Sequence, residues 1–442
     1  MLNLRSKWDR LRSSLWFIPS LLVIGAVVLA LGFVEIDASG EWDYLRDRYP
    51  RMFGSGAAGS RGMLSAIASS MITVAGTAFS ITIVALALAS SQYTSRILRN
   101  FMRDRANQTV LGTFLGIFVY CVVVLRTIRS GDEGAFVPSL AVLFGVVLAL
   151  VGIGCLIFFI HHIALSIQAG SIIKSAADET IEAIDRLFPE GMGEAAAPDV
   201  GPAPEPTSAV WRPIPARETG YVQAVDGDGL LRLACERGAV VRMERGVGEF
   251  VVEGTPLVAI AGGGGRDGGG SPDDGLADAV AALYTVGRER TTVQDAGFGV
   301  RQIVDIALKA LSPGINDTTT AVTCVQYLSA VLARLAARRL PDPCRADGGE
   351  LRVITRGPTF PGLLGEALDQ IRRNAEGNVA VLLALLEALE VVAGRTRDAG
   401  RLVAIARQVE RIAEVARRTV PLLPDREGIE AALDRHTKRG VK

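Results

Sequence analysis

The sequence predicts a mainly α-helical membrane protein with four transmembrane helices, a small β-barrel or half-barrel domain and a helical C-terminal soluble domain. Three observations predict it. Four runs contain no Asp, Glu, Lys, Arg or His: residues 13–34, 62–95, 106–125 and 134–160, of lengths 22, 34, 20 and 27. Residues 218–260 carry short β-branched runs separated by Gly and Asp. From Leu276 onward apolar residues recur at three-to-four-residue steps.

A helix needs roughly 20 predominantly apolar residues to cross the hydrocarbon core. Each charge-free run meets that length, so four spans are expected, at about 13–34, 64–89, 107–126 and 137–162 within a membrane domain of residues 1–170. Arg5, Lys7, Arg10 and Arg12 precede the first run, as in a signal peptide. Its apolar part is longer than a signal core and no small-x-small cleavage site directly follows, so it reads as a retained helix. Basic residues before span one, and Arg96, Arg99, Arg103 and Arg105 between spans two and three, favour an N-in, C-in topology with the C-terminal part cytoplasmic. In the 35–61 loop, Arg is interspersed with Glu35, Asp37, Glu41, Asp43 and Asp47.

Beyond Ile160 the helical period continues through Ile163, Ile167, Ala177, Ile181, Ile184 and Phe188, predicting that span four projects out of the membrane as a stalk, with residues 171–188 as its extension. The Pro-, Ala- and Gly-rich segment 189–217 and the Gly-rich segment 261–275 read as linkers around the β domain of 218–260. In that domain VGEFVVEGTPLVAI is similar to the half-barrel hairpin of biotinyl- and lipoyl-like domains. No Lys lies between Lys174 and Lys309, so only the structure is implied, not a carrier function. Residues 276–442 are expected to be helical: LADAVAALYTVGRER, then VQDAGFGVRQIVDIALKAL stopped at Ser312-Pro313-Gly314, then a helix from Asn316-Asp317. A loop and the short strand candidate LRVITRG follow, then helices near 361–375, 377–393, 398–420 and 425–438.

The chain has 442 residues, 49% of them hydrophobic, and no net charge, which argues against nucleic-acid binding. Its five cysteines, at 121, 155, 235, 324 and 344, form no CxxC pair, so neither a zinc site nor a disulfide framework is indicated. His161 and His162 end span four; adjacent helical positions diverge by about 100°, which suits an interfacial cap better than a shared metal. There is no Ser/His/Asp or Cys/His arrangement and no phosphate-binding GxxxxGK[ST]. We expect no enzyme activity, and no catalytic, cofactor-binding or metal residue is assigned.

Three constellations carry the functional reading. On a helical projection of span two, Ser65, Ser69, Thr73, Gly76 and Ser80 fall within an arc of about 80°, opposite Ile67, Met71, Val74 and Ala78. Small hydroxylated faces pack helices together; they also line aqueous paths. No span carries a charge at mid-depth, which disfavours ion-coupled transport and leaves a passive path open. Between Ile81 and Ala89 the helix is almost wholly apolar, so a path along it would narrow towards the cytoplasm. Arg96, Arg99 and Arg103 share a face within about 60°, suited to a lipid surface or to a gating lever. In the soluble part Arg288, Arg290, Gln294, Asp295, Arg301, Gln302, Asp305, Asn316 and Asp317 form a candidate polar network. The expected partners are the lipid bilayer and further copies of the chain, with no nucleic acid and no protein partner specified. The competing reading is a membrane-anchored sensor or scaffold whose soluble domains bind a partner.

Two segments, FSITIVALALASSQYTSRILRNFMRDRANQTVLGTF (Phe79–Phe114) and RTTVQDAGFGVRQIVDIALKALSPGINDTTTA (Arg290–Ala321), resemble a family of uncharacterised bacterial membrane proteins known as domain of unknown function 2254. The resemblance covers nearly the whole chain. Ser95 and Thr318 stand where that pattern carries Pro. It implies an integral membrane protein with a C-terminal soluble region and brings no activity, substrate or site.

Overall fold

The computed structural model describes residues 16–39, 56–92, 104–129, 136–188, 210–262 and 274–438. They fall into two compact units, Met1–Ile172 and Ile173–Lys442.

The first unit contains the four expected apolar helices: α1 (Phe17–Ala38), α2 (Ala57–Gln92), α3 (Arg105–Thr127) and α4 (Ser139–Ser166). Helix α2 begins seven residues before the predicted span, because Arg61 can be carried inside the helix. Its guanidinium donates to Ile128 O at 2.8 Å, beyond the end of α3. Helix α3 is the most enclosed of the four and packs against the other three. Phe114, Tyr120, Cys121 and Val124 of α3 are wholly buried with Leu64 of α2, Ala141 of α4 and Ala30 of α1. Gly112 permits the α1 contact, since a Cβ there would sit 2.8 Å from Pro19 Cα. Asp37 closes the start of α4: its carboxylate accepts from Leu140 N at 3.1 Å and Ala141 N at 2.9 Å. Tyr120 donates to Ala141 O at 2.8 Å on the same turn.

The stalk expected beyond span four is not one helix. Helix α4 stops at Ser166, the chain turns at Ile167–Gln168, and α5 (Ala169–Leu187) begins anew. From Ile173 onward α5 belongs to the second unit and is packed there. Asp185 accepts from Arg334 Nε at 2.6 Å, Arg334 Nη2 at 2.9 Å and Arg338 Nη2 at 2.8 Å. Thr292 Oγ1 donates to Glu179 at 2.5 Å.

The β region is built differently from the sequence expectation. Its elements are β1 (Arg212–Pro215), β2 (Gly220–Val225), α6 (Gly227–Glu236), β3 (Ala239–Met243), β4 (Phe250–Val251) and β5 (Pro256–Gly262), followed by α7 (Asp274–Leu283) and β6 (Tyr284–Gly287). Two later strands, β7 (Cys344–Asp347) and β8 (Glu350–Ile354), complete it. One sheet runs β1-β5-β3-β8-β7 and the other β4-β2-β6, so the described strands make two sheets rather than one closed barrel. All pairings are antiparallel except β3 with β8. The expected hairpin is absent: β4 pairs with β2, whereas β5 pairs with β1 and β3. Turn residues Glu253 to Thr255 therefore pass the chain from one sheet to the other. Helix α6 interrupts the stretch read as all-β, started by Asp226, whose carboxylate accepts from Gly229 N at 2.9 Å. Strand β1 lies in the expected linker, and β6 takes the end of a segment read as helix. The apolar seam joins Ile214, Val222, Leu230, Val241, Leu257 and Val353.

The remaining helices match the sequence reading: α8 (Ala296–Ala310), α9 (Thr318–Ala336), α10 (Phe360–Asn374), α11 (Val379–Ala393), α12 (Ala399–Thr419) and α13 (Leu423–Lys438). Each of α8 to α12 starts at an Asp, Thr or Asn whose side chain accepts a backbone N–H. Gly299 of α8 faces Thr180 of α5, and a Cβ at Gly299 would overlap the Thr180 hydroxyl. Gly299→Val should therefore destabilise the protein by about 1–3 kcal/mol through overpacking, read as a lower midpoint in thermal unfolding. Thr180→Gly in the same chain should recover part of the loss. A neutral Gly299→Val would mean that α5 does not lie on α8.

Candidate functional site

Helix α2 has two unlike faces. Leu64, Ala68, Met71, Ala75 and Ala78 are buried among α3 and α4. Ser65, Ser69, Thr73, Gly76 and Ser80 are all exposed, with Ile72 and Phe79 bordering them. The small hydroxylated stripe therefore does not pack against the other described helices of its own unit. The hydroxyls of Thr73 and Ser80, and that of the neighbouring Thr77, bond back to the helix. Thr73 Oγ1 donates to Ser69 O at 2.8 Å, Thr77 Oγ1 to Thr73 O at 3.0 Å and Ser80 Oγ to Gly76 O at 2.9 Å. Each such bond consumes the donor and leaves oxygen lone pairs outward. The face thus presents hydroxyl groups and no charge. Beyond it Ile81, Ile83, Val84 and Leu88 are exposed and apolar. Arg96, Arg99 and Arg103 lie outside the described residues.

The soluble network separates into parts. Its centre is Arg290, which donates to Asp295 from Nε at 2.8 Å and from Nη2 at 3.1 Å. Asp295 is only 7% exposed, and its Oδ1 also accepts from Phe298 N at 3.0 Å, capping α8. One carboxylate thereby starts the helix and holds the guanidinium. Gly248, at φ +86°, brings the β3–β4 turn against both side chains; a Cβ there would overlap Asp295 Oδ2. Arg301 and Asp305 pair at 2.8 Å one turn apart on α8. Gln294 turns to strand β2, accepting from Val225 N at 2.9 Å. Gln302 is buried and Arg288 exposed. Asn316 and Asp317 stand at the other end of α8, about 22 Å away for 15 residues at 1.5 Å each. Asn316 has φ +49°, and Asp317 caps α9 through Thr320 N at 3.0 Å.

Sequence reasoning missed Glu366. It stands on α10, where an acid in an amphipathic helix reads as solvated by default. The structure brings its Oε1 to 3.9 Å from Arg290 Nη1, and its Oε2 lies 3.1 Å from where a Cβ on Gly297 would be. Asp185 and its two arginines were also missed, because Asp185 lies about 150 positions before Arg334 and Arg338. Burial raises the Glu366 carboxyl above its usual range, Arg290 opposes that rise, and Asp295 adds to it. Asp185 moves the opposite way, lowered chiefly by its hydrogen bond from Arg334.

These directions set a pH dependence. The fold favours neutral Glu366, so its contribution is fully present below the unfolded value of about 4.3 and is lost as pH rises through the raised folded value. Glu366→Gln should raise the thermal midpoint most near neutral pH and flatten the profile above the ordinary carboxylate range. A profile of midpoint against pH that matches the wild type throughout would contradict this placement of Glu366.

Comparison with known proteins gives a family of predicted membrane proteins. The family model described as "Predicted membrane protein (DUF2254)" matches residues 12–391. An uncharacterised protein of Mycobacterium bovis and one of Mycobacterium tuberculosis strain H37Rv are each 37% identical over 443 residues, covering 99% of this chain and 83% of the relative. An uncharacterised protein of M. tuberculosis strain CDC 1551 is 36% identical over the same extent. No solved structure matches. With four apolar helices and a family match spanning nearly the whole sequence, the chain belongs to the DUF2254 family of predicted membrane proteins.

Proposed function

We propose that this protein is a channel-like, permeability-related protein of the bacterial cytoplasmic membrane, in which several copies assemble with α2 towards a shared path. The observation that carries the reading is the exposed face of Ser65, Ser69, Thr73, Gly76 and Ser80. A small, uncharged, acceptor-bearing surface on the outside of a protomer has two uses in a bilayer. It lets backbones of neighbouring copies approach closely, and it lowers the barrier to water and small polar solutes along an oligomer axis. The apolar continuation from Ile81 to Leu88 would form the narrow, dewetting end of such a path. In this reading the N-terminus and the second unit are cytoplasmic, and the protein needs no enzymatic chemistry.

A membrane-anchored sensor or scaffold is the second reading. It is favoured by the back-bonding of Thr73, Thr77 and Ser80, which makes that part of the face compatible with lipid. It is also favoured by the second unit's own core and its Glu366 cluster, which would respond to a partner or to pH.

Purified protein reconstituted in planar bilayers separates the two. The channel reading expects conductance under voltage, tension or a pH step, reduced several-fold by Ser69→Leu or Thr73→Leu. Silence under all three stimuli, or conductance indifferent to both substitutions, would overturn it.

A further inference from the structure

The Asp104 end of the membrane unit is polar inside as well as at its rim. Asp104 caps α3, its Oδ1 accepting from Ala106 N at 2.9 Å. Its Oδ2 lies 2.5 Å from His162 Nε2 on α4, and the His162 ring stacks on Phe158 with centroids 5.5 Å apart. The two helices are thus clasped where sequence reasoning saw only an interfacial histidine.

Asp104 is the N-cap of α3 and Asn107 its third helical residue, positions whose side chains lie close together at a helix start. It is 9% exposed and shares the buried face of Val110, Phe114, Ile117 and Cys121. Its Nδ2 and Oδ1 are both enclosed, and neither meets a hydrogen-bond partner among the described residues. A carboxamide in apolar surroundings is strongly driven to find a donor and an acceptor. The ligand that fits can be read from the neighbours. An anion is disfavoured, because the Asp104 carboxylate already occupies the positive end of α3. A hard cation wants several free oxygens, and both Asp104 oxygens are engaged. A small neutral molecule that donates and accepts at once matches both free groups of the carboxamide. Water does so, and a buried water needs two to four polar partners.

We propose that Asn107 seats a bound water that joins its carboxamide to the Asp104–His162 pair, forming a hydrated site inside this end of the bundle. The site is independent of the α2 stripe, which lies on the outside of the same bundle. It extends the polar clasp between α3 and α4 inward by one helical turn.

The chain has only six asparagines and three histidines, so selective labelling resolves the site. Full-length protein in lipid nanodiscs, labelled at asparagine side chains, is examined by magnetisation transfer from water. The Asn107 signal, identified by its loss in Asn107→Leu, should receive transfer from water yet resist broadening by a soluble gadolinium chelate. In the same variant the His162 ring nitrogen shifts, identified through His162→Gln, should move. A dry Asn107, an Asn107 broadened by the chelate, or His162 shifts unchanged by Asn107→Leu would each overturn the proposal. The transfer measurement needs only the wild-type fold once the signal is assigned.

Discussion

Within hydrocarbon an unpaired polar group is costly, and most polar side chains described in the membrane unit find a partner in the protein, Asn107 being one exception. The membrane unit is organised by that constraint. Asp37 meets the open N–H groups at the start of α4, and Asp104 meets those of α3. Tyr120 spends its hydroxyl on Ala141 O. Arg61 reaches a carbonyl beyond the end of α3, the freed end of a helix whose dipole favours a cation there. Along α2 Thr73, Thr77, Ser80 and Thr82 turn their donors back on their own helix. That leaves α2 with a hydroxylated face outward, the feature on which the proposed function rests.

In the second unit the governing feature is close approach at a few small residues. Gly299 admits Thr180, which seats α5 on α8. Gly248 lets the β3–β4 turn settle onto Arg290 and Asp295, so the β strands are tied to the start of α8. An ion pair enclosed in this way adds specificity of placement more surely than net stability. Glu366 beside it is the strained member of the group, since burial and Asp295 both oppose its charge.

The four membrane helices were legible because a charge-free run of that length has few other uses in a folded chain. The C-terminal helices were legible because Asp295, Asp317, Asn378 and Asp398 announce their starts and apolar residues mark their period. Strands were harder. Apart from β2 and β5 they hold two to five residues, and their partners are set by pairing across the chain: β3 finds β8 more than 100 positions away. The hairpin reading of VGEFVVEGTPLVAI failed for the same reason, since local turn chemistry does not reveal which sheet each arm will join. At the sites, the α2 stripe was visible as local spacing, and Arg290 and Asp295 only as members of one candidate network. Glu366, Asp185 and the His162–Asp104 clasp depend on contacts between distant segments, for which a single sequence carries no signal.

The central claim is that α2 turns its hydroxylated face away from its own bundle towards another copy. Single cysteines introduced into a background lacking the five native ones test this directly in native membranes. Oxidative cross-linking should give covalent dimers from Ser69→Cys and Thr73→Cys, on the exposed face, and none from Ala68→Cys, which is buried. Monomer alone from the two exposed positions, or dimers from Ala68→Cys in their place, would contradict it.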